Sequence, residues 1–184
     1  MARNADETRR KILEAATEEF ALHGIAGARV DRITKTAGVN NALLYRYFGS
    51  KVELFDTVYS RLVVEVVNAV PMDATDLPGY AGRLYDYYEA RPQVVRLAAW
   101  RQLERPEHTL PQVVYDAQRE KSDKIAEAQK DGLVPATLPA EELRDLMILL
   151  SLSNTPLVPA MGSAIDREQR RATIVATATA ALRG

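Results

Sequence analysis

The chain has 184 residues, a formal net charge of −1 and no cysteine, which excludes a disulfide framework, thiolate-ligated zinc and a thiol nucleophile together. No apolar run reaches the roughly 18 residues a membrane helix needs, and none follows MARNADETRRK to make a signal peptide, so a soluble cytoplasmic protein is expected. Residues 1–51 hold nine Lys or Arg against six Asp or Glu, a weak sign that a basic head on an acidic remainder meets an anionic partner.

Helical periodicity runs throughout and predicts an all-α chain of about nine helices. The first spans about Thr8 to Leu22, with Ile12, Ala16 and Phe20 in register and Gly24 as a stop; Asn4 with Glu7, or Asp6 alone, is a candidate cap. A short second helix sets Val30, Ile33 and Ala37 on one face and ends at Gly38. The third follows from Asn40 as N-cap, with Leu44 and Phe48 turned inward. Ser50-Lys51-Val52-Glu53 reads as a capping box for a fourth helix that stops before Pro71.

PMDATDLPG (71–79) is rich in turn formers and predicts a loop. A fifth helix over about 79–90 ends at Arg91, and Pro92 opens a sixth reaching about Leu103. A capping box at Thr109–Gln112 predicts a long seventh helix that closes at Gly132. Pro139 with Glu141 and Glu142 opens the eighth, its acids placed for the helix dipole. Pro156, Pro159 and Gly162 break the chain, and Asp166 with Gln169 caps a ninth helix running nearly to Gly184.

The second and third helices meet at Gly38-Val39-Asn40, a turn short enough to set them steeply across each other. That is the shape of a helix-turn-helix, whose second helix enters the DNA major groove. The stretch GVNNALLYRYFGSK then has a use for its polar face. Asn pairs bidentately with adenine, Arg with guanine, and Ala or Leu touches the thymine methyl. Tyr hydroxyls, Lys and a helix N-terminus suit phosphate oxygens.

Taken together, TRRKILEAATEEFALHGIAGARVDRITKTAGVNNALLYRYFGSKVELF (8–55) resembles the DNA-binding module of the tetracycline-repressor (TetR) family of bacterial regulators. The Ile33…Ala37-Gly38-Val39 core and Leu44-Tyr45-x-Tyr47-Phe48-x-x-Lys51 carry most of the resemblance. It implies a head over residues 6–66, with the helix-turn-helix proper at about 29–48, and an effector-binding and dimerisation domain over 67–184. It also implies DNA contacts from Asn40, Asn41, Ala42, Leu43, Tyr45, Arg46 and Tyr47, with Lys51 on phosphate; Arg29 and Lys35 are the candidates on the second helix. Two positions depart from the family pattern: Arg29 stands where a capping Thr is usual, and Thr34 where Ala is usual.

Beyond the head, the match is one of pattern. QKDGLVPATLPAEELRDL (129–146) is similar to the Gly turn and acidic helix start before the family's dimerisation helices. The eighth helix is apolar on more than half its circumference, so Leu149 and Leu152, with Val175, Ala178 and Leu182 of the ninth, are the candidate dimer interface. An aromatic cluster lies between, and Tyr85, Tyr88, Trp100, Leu103, Tyr115 and Met147 are the candidate lining of an effector pocket. Plain core packing is the competing explanation for those aromatics. No Lys or Arg is obviously aimed inward, with Arg83, Arg96 and Arg101 the nearest in sequence, so a mostly apolar effector is expected.

Catalytic constellations are missing. His23 and His108 read as solvated, adjacent acids such as Glu18 and Glu19 point apart on a helix, and no cofactor or metal is expected. The leading expectation is a homodimeric, ligand-responsive repressor on a palindromic double-stranded DNA operator. A helical small-molecule-binding protein or enzyme with a vestigial head is the alternative.

Overall fold

The computed structural model describes residues 2–107, 109–153, 155 and 166–183. Among them are nine α-helices and one 3-10 turn. They are α1 (Ala2–Gly27), α2 (Val30–Ala37), α3 (Asn41–Phe48), α4 (Lys51–Ala69), the 3-10 turn (Ala74–Asp76), α5 (Leu77–Ala90), α6 (Pro92–Glu104), α7 (Gln112–Lys130), α8 (Ala140–Ser151) and α9 (Arg167–Ala181). Pro156, Pro159 and Gly162, expected to break the chain, lie outside the described residues, as does His108.

The chain forms two compact units, Met1–Leu62 with Arg96–Pro111, and Val63–Val95 with Gln112–Gly184. In the first, the i, i+4 stripe of α1 buries Ile12, Ala16 and Phe20, and Ile33, Leu44, Phe48, Leu54 and Phe55 are buried with them. Phe20 meets Phe55 edge-on with ring centroids 5.2 Å apart. α1 starts earlier than its expected caps, and its regular helix breaks at Gly24, where φ is 68° and ψ is −173°. That conformation suits only glycine. A Cβ there would also sit 2.9 Å from the Trp100 ring and 2.5 Å from a Glu104 oxygen.

Glu104 uses this close approach. One of its carboxylate oxygens accepts the N–H groups of Ile25 (2.7 Å) and Ala26 (2.9 Å), which the broken helix leaves open, and the Trp100 indole donates to the Ala21 carbonyl at 3.2 Å. The C-terminal part of α6 thus closes the end of α1.

The second unit packs Tyr80, Leu84 and Tyr85 of α5 with Ile125 of α7, Leu143 and Met147 of α8, and Ile174 and Ala178 of α9. α5 starts at Leu77, inside the expected loop, because Asp76 caps it by accepting from Gly79 N at 2.9 Å. α5 and α9 approach closely at Gly82, where a Cβ would lie 3.0 Å from a Val175 methyl. Asp86 then binds Arg167 and Arg171 of α9, at 3.1 and 2.6 Å. The cap expected for α9 is present, with Asp166 accepting from Gln169 N at 2.7 Å.

Candidate nucleic-acid interface

Three short-range devices shape the first unit's turn and its second helix. Gly38 adopts the left-handed conformation (φ 69°) that ends α2. The Val39 N–H bonds back to the Thr34 carbonyl at 3.0 Å. Asn40 caps α3, its Oδ1 accepting from Leu43 N at 2.8 Å. With Leu44 and Phe48 turned inward, Asn40, Asn41, Ala42, Tyr45 and Arg46 are exposed and Leu43 and Tyr47 half-buried. The Arg46 guanidinium lies over the Tyr47 ring, 5.7 Å from its centroid. Arg29 and Lys35 of the α2 side are exposed as well.

α2 lacks a cap from its own N-terminal residue: Arg29 makes no side-chain cap. Glu19 of α1 takes that place. Its Oε1 accepts from the Arg29 N–H (2.9 Å) and from Nε of Arg32 (2.7 Å), with Nη2 of Arg32 at 2.6 Å. A carboxylate at this helix N-terminus is favoured by the helix dipole as well. Burial works to raise the Glu19 carboxyl, but the bonds from Arg32 and Arg29, with the nearby charges of Arg32 and His23, hold it below the usual Glu value. His23 itself is not simply solvated, since its Nε2 lies 3.9 Å from Glu19.

Lys51 is half-buried at the start of α4. Its ammonium donates to the carbonyls of Ala28 (3.0 Å) and Ala26 (3.3 Å), which leaves one of three N–H donors for any other partner. Asn41 is also engaged: its Nδ2 donates to Asp31 Oδ1 at 2.6 Å, and its Oδ1 lies 2.7 Å from the Thr34 hydroxyl. Reasoning from sequence missed Glu19 and Asp31, and marked Thr34 only as a departure from the family pattern. Asp31 and Thr34 stand one turn apart on α2, so one residue across the turn meets both.

The six candidate effector residues do not share one compact unit. Trp100 and Leu103 lie in the first; Tyr85, Tyr88, Tyr115 and Met147 lie in the second. Leu103 is 73% exposed and Tyr115 46% exposed, whereas Tyr85 and Met147 are fully buried. The hydroxyls of Tyr80 and Tyr85 are buried without a hydrogen-bond partner among the described residues. Of the cations named from sequence, Arg101 of α6 is buried, and so is Lys121 of α7, which was not named. Burial, then the charge of Arg144, lowers the Lys121 ammonium from its ordinary value. Arg144 is held by Ser122 Oγ at 2.7 Å and by Asp145.

On α8, Leu143, Met147 and Ser151 face the core, and Leu149 on the far side is 60% exposed. A shallow apolar groove there is lined by Glu142, Asp145, Leu146, Ile148, Leu149 and Leu152. Leu182 is half-buried at the end of α9. Ala178 is 0% exposed within the single chain, and Val175 lies against Gly82. These two candidate interface residues therefore pack inward, because α9 turns the Ile174, Ala178 stripe onto its own core.

No helix among the described residues is long and apolar enough to cross a membrane. No group of three or more His, Cys, Asp or Glu among them could hold a metal ion.

Residues 12–58 match the family described as bacterial regulatory proteins, tetR family, and residues 76–182 match the tetracyclin repressor-like C-terminal domain. The chain is similar to the HTH-type transcriptional repressor SCO4008 of Streptomyces coelicolor, with 37% identity over 85% of this chain and 82% of the relative. It is also 34% identical to the HTH-type transcriptional repressor NicS of Pseudomonas putida, over 58% of this chain and 54% of that one. Among solved structures, that of the candidate transcriptional regulator SCO4942 from Streptomyces coelicolor superposes with a TM-score of 0.84 at 36% identity, covering 95% of this chain and 97% of the other.

Proposed function

The chain belongs to the tetR family of bacterial regulatory proteins, and on that premise we propose that it is a cytoplasmic, homodimeric, ligand-responsive repressor that reads a palindromic DNA operator. The observation that carries this reading is the outer face of α3. It presents amide, guanidinium and phenol groups where a surface helix ordinarily carries Lys and Glu, directly after a left-handed turn. Amide and guanidinium groups suit base edges, and phenols and ammonium groups suit phosphates. The proposed head covers 6–66, with the helix-turn-helix at 29–48, and the body covers 67–184. Arg29, Lys35, Asn40, Asn41, Ala42, Leu43, Tyr45, Arg46, Tyr47 and Lys51 are the proposed DNA contacts.

Two copies would join through the outer face of α8, around Leu149 and Leu152, with Leu182 of α9. An isologous pairing of this kind presents the two α3 helices to half-sites about 34–36 Å apart. The effector is a mostly apolar small molecule held in the body. An effector that prefers the conformer unable to bind DNA by 100-fold shifts the equilibrium by about 2.7 kcal/mol. The relatives are regulators, and no enzymatic activity is assigned to this chain.

The test is selection of full-length protein on a randomised double-stranded DNA library. Enrichment of an inverted-repeat sequence is the expected result. Binding to all sequences alike would overturn the operator-reading role.

A further inference from the structure

We infer that Asp31 is a specificity-determining positioning residue, which orients the Asn41 amide and so sets the order in which α3 shows a donor and an acceptor to the groove. The inference rests on the DNA-reading role proposed above. Asp31 is exposed, as are Arg29, Lys35 and Asn41. A carboxylate on a surface that approaches phosphates repels them, although the first turn of α2 favours an acid through the helix dipole. Its contact gives it a further use: Asp31 Oδ1 accepts from Asn41 Nδ2 at 2.6 Å.

The orientation of an amide follows from its partners. If the Asn41 amide were turned over, its oxygen would stand 2.6 Å from the Asp31 oxygen, two acceptors in contact with no proton between them. Thr34 does not decide the matter, because a hydroxyl both donates and accepts. It fits the orientation that Asp31 imposes, with its Oγ1 2.7 Å from Asn41 Oδ1. Thr34 is 4% exposed, and its single hydroxyl proton goes either to Asn41 Oδ1 or to the Val30 carbonyl 3.0 Å away, which leaves Asp31 as the partner that sets the amide.

Asn41 has two N–H donors and two acceptor lone pairs. Asp31 takes one donor and Thr34 meets one lone pair, which leaves one of each for DNA. An A·T pair shows acceptor, donor, acceptor and methyl in order across the major groove. An amide free to turn over can use the central donor with either neighbouring acceptor, and A·T and T·A look alike to it. An amide held in one orientation meets only one of the two orders. The ligand read through this clamp is therefore an A·T pair in one orientation.

The test uses the full-length chain and the randomised library, with wild type, Asn41→Ala, Asp31→Asn and Asp31→Ala compared after circular dichroism confirms the fold. Asp31→Asn keeps the shape but can accept or donate, so it no longer fixes the amide. Expected is loss, in both Asp31 variants, of a preference of roughly tenfold or more at the same base pair that Asn41→Ala flattens. The rest of the selected sequence stays intact. If Asp31 acted through its charge alone, both variants would instead bind every sequence more tightly and keep the wild-type base preference, which overturns the inference. Asn41→Ala leaving all base preferences unchanged overturns it too. A wild type that selects no sequence sinks the DNA-reading role itself.

Discussion

Glu19 shows how much one side chain can carry at the turn. Two hydrogen bonds, from the Arg29 N–H and Arg32 Nε, converge on its Oε1 with Arg32 Nη2 paired 2.6 Å away, and Glu19→Gln keeps the shape but loses the charge that draws them. A hydrogen bond to a charged group is worth about 1.5–3 kcal/mol, and a loss of that order near neutral pH is expected in urea unfolding. The sign with pH follows from a folded-state value below the ordinary 4.5. Glu19 stabilises fully above pH 4.5, and its contribution is lost as pH falls through the lowered folded value. The gap between wild type and variant should close in that acid window; a gap that stays constant would contradict the assignment.

Lys35 and Lys51 make a contrasting pair at the same scale. Lys35 is exposed, whereas the Lys51 ammonium is held by the Ala26 and Ala28 carbonyls. Lys35→Ala should reduce the slope of log affinity against log salt by about one and leave stability alone. Lys51→Ala should reduce the slope and also lower the midpoint of unfolding, because two carbonyls lose their donor. Equal melting curves for the two variants would show that the carbonyl contacts contribute nothing.

At the scale of elements, α1 ends as it does because α6 closes it. The non-helical conformation at Gly24 frees the N–H groups of Ile25 and Ala26, and Glu104 accepts both. Gly24→Ala should be strongly destabilising, by about 1–3 kcal/mol from backbone strain alone, with the Trp100 contact adding to it. Trp100 is the only tryptophan, so its emission reports the displacement directly. Unchanged emission and an unchanged unfolding midpoint would mean that the close approach is not tight. Periodicity found these helices, and the caps at Asn40 and Asp166 were legible with them, because each acts within three residues of its own position. The start of α5 was read two residues late, since Asp76 was counted as loop rather than as a cap.

For the whole molecule, the decisive question is which surface pairs two copies. Leu149 is 60% exposed and lies in the apolar groove on α8. Leu149→Glu should leave folding within about 0.5 kcal/mol of wild type, as surface substitutions do, yet convert a dimer to a monomer in sedimentation at micromolar concentration. Binding to a two-half-site operator should fall with it, while affinity for a single half-site is kept. A variant that remains dimeric would move the interface off α8. The boundary between the two compact units falls within α4 and within α6.

The order of the helices, the turn at Gly38 and the outward set on α3 were legible in the sequence. Each depends on neighbours within a turn or two: spacing of apolar side chains, a left-handed glycine, a capping oxygen. What only the tertiary structure decided depends on how helices cross. Glu19 reaches the start of α2 from ten residues away, Glu104 reaches α1 across 78 and 79, and neither distance leaves a periodic trace. Nor could α9 reveal its buried side, because Ala and Thr fill most positions of its second half and no stripe stands out until Ile174 and Ala178 meet the core. Local rules choose the elements, and long-range contact chooses which face of each is spent on the core and which is left for a partner.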